Sequence, residues 1–375
     1  MKVGVNMIYL DYAANTPVDD EVLNNFVDVT KNYIANANSS HELGLKSKKV
    51  IDDCSSKIAN YFNCSNDSII YTSGSSESNN LVIKGVCEYY EKKGKHIIIS
   101  PIEHSSVVAP LNYLANKGYE VTILPLDKNG IVDLDSLKNS LRSDTILVSI
   151  CSVDSELGTI QPIEKIAQIV KKNSNAIFHS DATQAVGKID INYSVCDFIT
   201  FAPHKFYGLN GTGVLINFNN KKITPLIHGG RSTTIYRSGT PVVANVSALS
   251  KALELSLDNL KYRYAYILDL KNYLVKELSN LNFVHINTLA NSIPNTLNFS
   301  LIGKDAKEVV RKLGLKRIYL STTSACSMKN SPSKSVYAIT KDERLASNSI
   351  RVSLSHLTTK NELNTFLNEF ITKGG

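Results

Sequence analysis

Lys205 and Asp181 are the residues from which chemistry is read most directly. Asp181 ends the apolar run AIFHSD. Lys205 follows CDFITFAPHK, 24 residues further on, ahead of the glycine-rich FYGLNGTG. Buried strands that deliver a carboxylate and an amine at their carboxyl ends form the mouth of an open α/β sheet, where ligands bind. There a lysine can form a Schiff base with a carbonyl, and a carboxylate can keep a pyridine nitrogen protonated. These are the two groups that pyridoxal phosphate (PLP) demands of a protein. Taken alone, the pair could also simply cap two strands.

A third strand end adds an anion site. IIYTSGSSES puts Gly74, Ser75 and Ser76 in a strand-to-helix turn, with Glu77 in the first helical turn. Unpaired N–H groups at a helix start, with two hydroxyls beside them, can cradle a phosphate. The segment has neither GxGxxG nor GxxxxGK[ST], which argues against dinucleotide and P-loop readings. His104, in IISPIEHSSV, lies past a further strand end. It can stack on a planar ring and move protons, or be an ordinary loop histidine. His204, between Pro203 and Lys205, is a candidate phosphate donor on a stiffened loop. Gln184 can reach the phenolic oxygen of a pyridine ring. Arg351, in SNSIRVSLS, offers a fork for an amino acid's carboxylate, with a surface ion pair as the alternative.

Six cysteines show no CxxC and no zinc-like spacing, so no metal is expected. Cys54, Cys64, Cys87, Cys151 and Cys196 mostly read as small buried hydrophobes. Cys326 differs, because YLSTTSACSMKNSPSKS is polar and turn-rich. A thiolate on such a loop can attack the sulfur of a bound cysteine, leaving alanine and an enzyme persulfide, if a base or cation activates it. Without that thiol, a lysine base leaves transamination, elimination or racemisation open.

The elements that must position these groups alternate. Strands IIYT, HIIIS, YEVTILP, TILVSI, AIFHS, DFITF and GVLINF are interleaved with helices such as ESNNLVIKGVCEYYEKK and PIEKIAQIVKK. That pattern predicts a mostly parallel seven-stranded sheet covered on both faces, in a large domain over 18–255. One long helical stretch near 245–278 reads as a connector to a smaller α+β domain over 256–375. Residues 1–17 form an extended arm expected to serve the small domain. With 375 residues, 43% hydrophobic and 20% charged, the chain has ample material for both. No apolar run approaches the roughly 18 residues of a membrane span, and MKVGVNMIYLDYAANTP lacks a signal-peptide pattern, so a cytoplasmic protein without membrane association is expected. The net charge of +7 is spread along the chain with no nucleic-acid motif, so direct nucleic-acid binding is not expected.

At these residues the chain resembles the PLP-dependent cysteine desulfurases of the class V aminotransferase superfamily. The likeness is to the long-loop subgroup that supplies sulfur for iron–sulfur clusters and tRNA thiolation. It runs from YLDYAANTPVD to SIRVSLSHLTTKNEL, through YTSGSSESNNLVIKG, HSDATQAVGKI, HKFYGLNGTG, RSGTP and SACS. The resemblance implies the type I aminotransferase fold, a homodimer, L-cysteine as substrate and a scaffold or sulfur-carrier protein as acceptor. It implies that Lys205 carries PLP, Asp181 meets the pyridine nitrogen, Gln184 and Ser155 address the phenolic oxygen, and His104 stacks on the ring. Gly74, Ser75, Ser76 and His204 would hold the phosphate, with Thr240 reaching across from the other subunit. Cys326 would carry the persulfide, and Arg351, helped by Asn36, would bind the substrate carboxylate. The chain departs from the family pattern at Ser155 and Ala202, where asparagine and serine are usual, and at Asn15 and Ala37. A selenocysteine lyase, another PLP-dependent lyase or aminotransferase, and a weakly active PLP-binding scaffold remain the alternatives.

Overall fold

A computed structural model describes residues 7–230, 232–322 and 331–374. Cys326 lies outside the described residues.

Twelve strands are described. In chain order they are β1 (Ile8–Tyr9), β2 (Ile69–Thr72), β3 (His96–Ile99), β4 (Glu120–Ile123), β5 (Thr145–Ser149), β6 (Ile177–Asp181), β7 (Phe198–Phe201), β8 (Gly213–Asn217), β9 (Val284–Ile286), β10 (Thr296–Leu301), β11 (Ile318–Tyr319) and β12 (Ser349–Ser353). The large sheet has seven strands in the order β2-β8-β7-β6-β5-β3-β4. Only β8 runs against its neighbours. The other six therefore present their carboxyl ends along one rim, and the turns after β2, β3, β5, β6 and β7 meet there. Strands β3, β5, β6, β7 and β8 are buried along their whole length, as expected of a sheet covered on both faces.

The covering helices obey the same logic. In Ile163–Asn173 the buried residues are Ile163, Ile166, Ala167 and Val170, one stripe at helical spacing, which packs into the core under the sheet. Asp133 caps the helix Leu134–Ser140 through Ser136 N–H. Sequence reading left that helix out because it is only two turns long.

The stretch near 245–278 is not one helix. It divides at Asn259 into Val243–Asp258 and Leu260–Ser279. The first places Ala248, Leu249, Ala252 and Leu253 in the core beneath the large sheet. The second places Ile267, Leu270, Leu274 and Leu278 in a separate core with Phe299, Phe366 and Phe370. The break lets each half turn its apolar stripe toward a different core. Over this second core lies an antiparallel sheet ordered β12-β10-β9. Leu10 joins this core, and β1 pairs in parallel with β11.

Candidate active site

Five strand ends and the N-terminal segment enclose a cleft of about 290 Å³. Ala13, Gly74, Ser75, Ser76, His104, Cys151, Ser155, Asp181, Thr183, Gln184, His204, Lys205 and Arg351 all line it. Most candidates read from sequence thus converge on one place.

Lys205 ends the short turn Pro203–Lys205 after β7. Its Nζ donates to the carbonyls of Ala13 and Ala14, at 2.9 and 2.6 Å. Those contacts, with Thr16 bonded to the His204 carbonyl, seat the N-terminal segment across the turn. Asp181 is the last residue of β6 and is 6% exposed. Its two oxygens accept from Asn79 Nδ2 at 2.8 Å and from the Thr183 N–H at 3.0 Å.

Asn79 also donates to Ser106 Oγ, which lies 2.8 Å from His104 Nδ1. Nδ1 accepts from the Ser106 N–H as well. The imidazole is therefore held by the start of its own helix, Ser105–Ala115. Burial lowers its pKa; Asp181 opposes that shift and Lys205 adds to it. His204 is lowered to about 4, first by burial and then by Lys205 and Lys188. Both rings are consequently neutral near pH 7.

One end of the cleft is the start of the helix Ser75–Tyr89, the candidate phosphate site. Thr183 Oγ1 donates to Ser75 Oγ at 2.9 Å. Gly213 on β8 packs so closely that a Cβ there would lie 2.4 Å from the Gly74 carbonyl carbon. Glu77 puts a negative charge beside an anion site, and Arg237 answers it: Nε lies 2.9 Å from the Glu77 carboxylate. Burial would raise the Glu77 pKa, but the bonds from Arg237 and the Ser73 N–H outweigh it and keep the carboxyl below its usual value.

Arg351 is 1% exposed. Nη2 donates to Asp11 Oδ1 at 2.8 Å and Nη1 to the Ser155 carbonyl at 2.9 Å, while Nε has no partner. The neighbours of Ser155 are tied to the stretch that follows residue 330. Asp154 accepts from Ser335 Oγ at 2.8 Å, and Glu156 accepts from Ser333 Oγ.

Two candidates do not reach this cleft within one chain. Asn36 lies on an exposed loop, and its Oδ1 accepts from the Asn38 N–H at 2.9 Å. Thr240 is exposed and outside the cleft. Ala202, where the family usually has serine, is fully buried behind His204 and Lys205 and does not itself line the cleft.

Sequence reading passed over Thr183, Asn79, Asp11 and Cys151. Thr183 was within reach, two residues past Asp181. Cys151, read as a core residue, is buried but forms part of the cleft wall. Burial raises its pKa far above the ordinary value, with Glu103 adding to the effect, so it is a neutral thiol and a poor nucleophile.

The donor set fits PLP. An amine, a hydrogen-bonded carboxylate, a helix start with two serines and a neutral imidazole all face one cavity, and no acid at the phosphate end is left uncompensated. Among the described residues no group of three or more His, Cys, Asp or Glu could hold a metal ion, and no helix is long and apolar enough to cross a membrane. Fold and cleft together define a PLP-dependent enzyme of the type I fold.

The chain belongs to the class-V aminotransferase family, which it matches over residues 8–366. A curated relative, the cysteine desulfurase IscS of Dictyoglomus turgidum, is 39% identical over 362 residues, spanning 95% of this chain and 92% of the relative. The solved structure of a NifS-like protein matches with a TM-score of 0.91 at 34% identity, covering 97% of this chain and 98% of the other. SspA, solved in complex with cysteine, matches with a TM-score of 0.82 at 30% identity, covering 92% and 98% of the two chains.

Proposed function

We propose that this protein is an L-cysteine desulfurase that converts L-cysteine to L-alanine and carries the sulfur as a persulfide on Cys326. The observation that carries the reading is the convergence of Lys205, Asp181 and Arg351 on one cleft. Bound there, PLP supplies an electron sink for the bonds at an amino acid's α-carbon. Lys205 would hold the group covalently and would serve as base toward the α-proton. Asp181 would keep the pyridine nitrogen protonated, His104 would cover the ring, and Gln184 would address the phenolic oxygen. Gly74, Ser75, Ser76 and His204 hold the phosphate. Arg351 binds the substrate carboxylate, and Ser155 fixes that guanidinium through its carbonyl.

The described residues on either side of Cys326 support its role. On one side Ser321 exchanges backbone bonds with Arg351, at 2.7 and 3.3 Å. On the other, Ser333 is bonded to Glu156. Both roots of the segment are thus tied beside the substrate arginine. Residue 326 is four residues from Thr322, a reach of about 14 Å at most.

The same reading makes the protein a cytoplasmic homodimer, with Thr240 serving the partner's cleft, Asn36 helping to bind the substrate carboxylate, and a sulfur-accepting scaffold or carrier protein downstream. Its domains are a large one over 18–255 and a small one over 256–375 that the arm 1–17 completes. The two separate cores, with Leu10 in the second, support that division. Borohydride reduction of the PLP-loaded protein should place a pyridoxyl group on Lys205 by mass spectrometry. Incubation with L-cysteine followed by alkylation should place a persulfide on Cys326. An adduct on another lysine, or persulfide confined to other cysteines, would overturn the assignment.

A further inference from the structure

Lys188, in the segment after β6, does not line the cleft. It lies beside Lys205 in the wall of a second, smaller cavity on the far side of that lysine. Burial lowers its pKa to about 7, and the charged groups that act on it, Lys205 and Arg351, are both cations that push the same way. A sequestered amine among cations is costly unless it makes a bond that matters. That bond is to the cofactor-facing amide: Lys188 Nζ lies 2.6 Å from Gln184 Oε1.

A protonated amine can donate but not accept. Its contact therefore selects one of the two orientations of the Gln184 carboxamide, the one with the N–H₂ turned away. Gln184 Nε2 is bonded to the Ala13 carbonyl at 3.0 Å, the same oxygen that Lys205 Nζ reaches at 2.9 Å. The amide N–H₂ and the cofactor lysine are thus immediate neighbours on one acceptor. In PLP the phenolic oxygen is ortho to the carbon that the lysine binds, so a donor beside Nζ faces that oxygen.

We propose that Lys188 is a positioning residue that holds the Gln184 carboxamide with its N–H₂ toward the phenolic oxygen of the lysine-bound cofactor. This rests on the reading of Lys205 as the cofactor lysine. The anionic ring oxygen and phosphate favour the protonated amine that the arrangement needs. Were Lys188 lost, Gln184 would be free to turn its own oxygen toward the ring oxygen, and one cation would leave the site. Both changes disfavour loss of the proton from the nitrogen that joins Lys205 to the cofactor.

The test is a pH titration of the visible band of the PLP-loaded enzyme, with folding checked by circular dichroism. The other ionisable side chains that line the cleft with that nitrogen are Glu77, His104, Cys151, Asp181, His204 and Arg351, and all are retained. Lys188→Met should move the midpoint upward by about one pH unit, the worth of a hydrogen bond to a charged group. Lys188→Gln is the second variant if the first does not fold, and it should move the midpoint in the same direction. Lys188→Arg, which keeps donor and charge, should restore most of the parent behaviour. On a Gln184→Ala background, Lys188→Met should shift the midpoint by less than about half as much, because the residue acts through the amide. Equal shifts in both backgrounds, or none in either, overturn the proposal and leave the cofactor assignment intact. A parent protein with no band that borohydride removes at Lys205 overturns the cofactor reading and this proposal with it.

Discussion

Asp11→Asn tests how the substrate's carboxylate gains its arginine. Arg351 is already neutralised by Asp11, at 2.8 Å, with side-chain exposures of 2% and 19%. An incoming carboxylate must displace Asp11 or sit against it. Two unit charges about 4 Å apart attract by about 4 kcal/mol at an effective dielectric constant near 20. Asparagine keeps a neutral hydrogen bond worth about 1 kcal/mol, and the partial exposure of Asp11 weakens the pair further. The net loss of hold on Arg351 is then about 2 kcal/mol. Without ligand the variant should melt earlier, because a buried guanidinium has lost its counter-charge. On binding an amino acid, much of that deficit is recovered. L-alanine, which carries the carboxylate but no sulfur, should bind the PLP-loaded variant about tenfold more tightly, the equivalent of about 1.4 kcal/mol. The assay is a titration followed by the cofactor's visible spectrum, alongside melting curves with and without saturating L-alanine. An unchanged or weaker Kd would refute the reasoning. It would show that Asp11 aims the guanidinium rather than competing for it.

Three further outcomes follow from named contacts. Burial pushes the Glu103 carboxyl up from 4.5 to about 8, against the bonds from Ser100 and the Cys151 N–H. The folded state therefore holds a proton that the unfolded chain has released, and Glu103 makes stability fall as pH rises from about 4.5 to about 8. The slope is up to about 1.4 kcal/mol per pH unit. Glu103→Gln should flatten its share of that slope, leaving the share of Asp154, which is raised to about 7, as urea unfolding at several pH values will show. Gly213→Ala should loosen PLP binding and cost about 1–3 kcal/mol of stability, because the new methyl would drive the Gly74 turn from its place; equal affinity in an equilibrium dialysis series would count against the phosphate cradle. Cys326→Ala should keep the visible band and the L-alanine titration while losing alanine production from L-cysteine by at least about a hundredfold, and full production by the variant would end the persulfide route.

What the sequence discloses is set by the range of the interaction. Asp181, Lys205 and Ser75 were legible because each ends its own strand or follows it within a few residues, and strand ends are visible as apolar runs that stop. The seven strands of the large sheet were legible for the same reason. The division of the connecting helix at Asn259 was not, since both halves are helical and only the two cores they face distinguish them. Strand β9, three residues long, makes too short an alternation to stand out. The hold on Arg351 was hidden most completely. It joins residues 340 positions apart through Asp11, and nothing local to either predicts the other. Ser155 illustrates the intermediate case. Its departure from the family's asparagine was visible and its side chain was assigned to the phenolic oxygen, yet its carbonyl is the atom that braces Arg351. A backbone carbonyl is indifferent to the side chain it comes with. The contact that survives the substitution is therefore the one sequence comparison cannot register. The turn from Asp154 to Glu156 joins Arg351 through its middle residue and the stretch beyond residue 330 through its outer two. Substitutions at Asp154 or Glu156 should accordingly disturb substrate binding more than the side-chain change at Ser155 does.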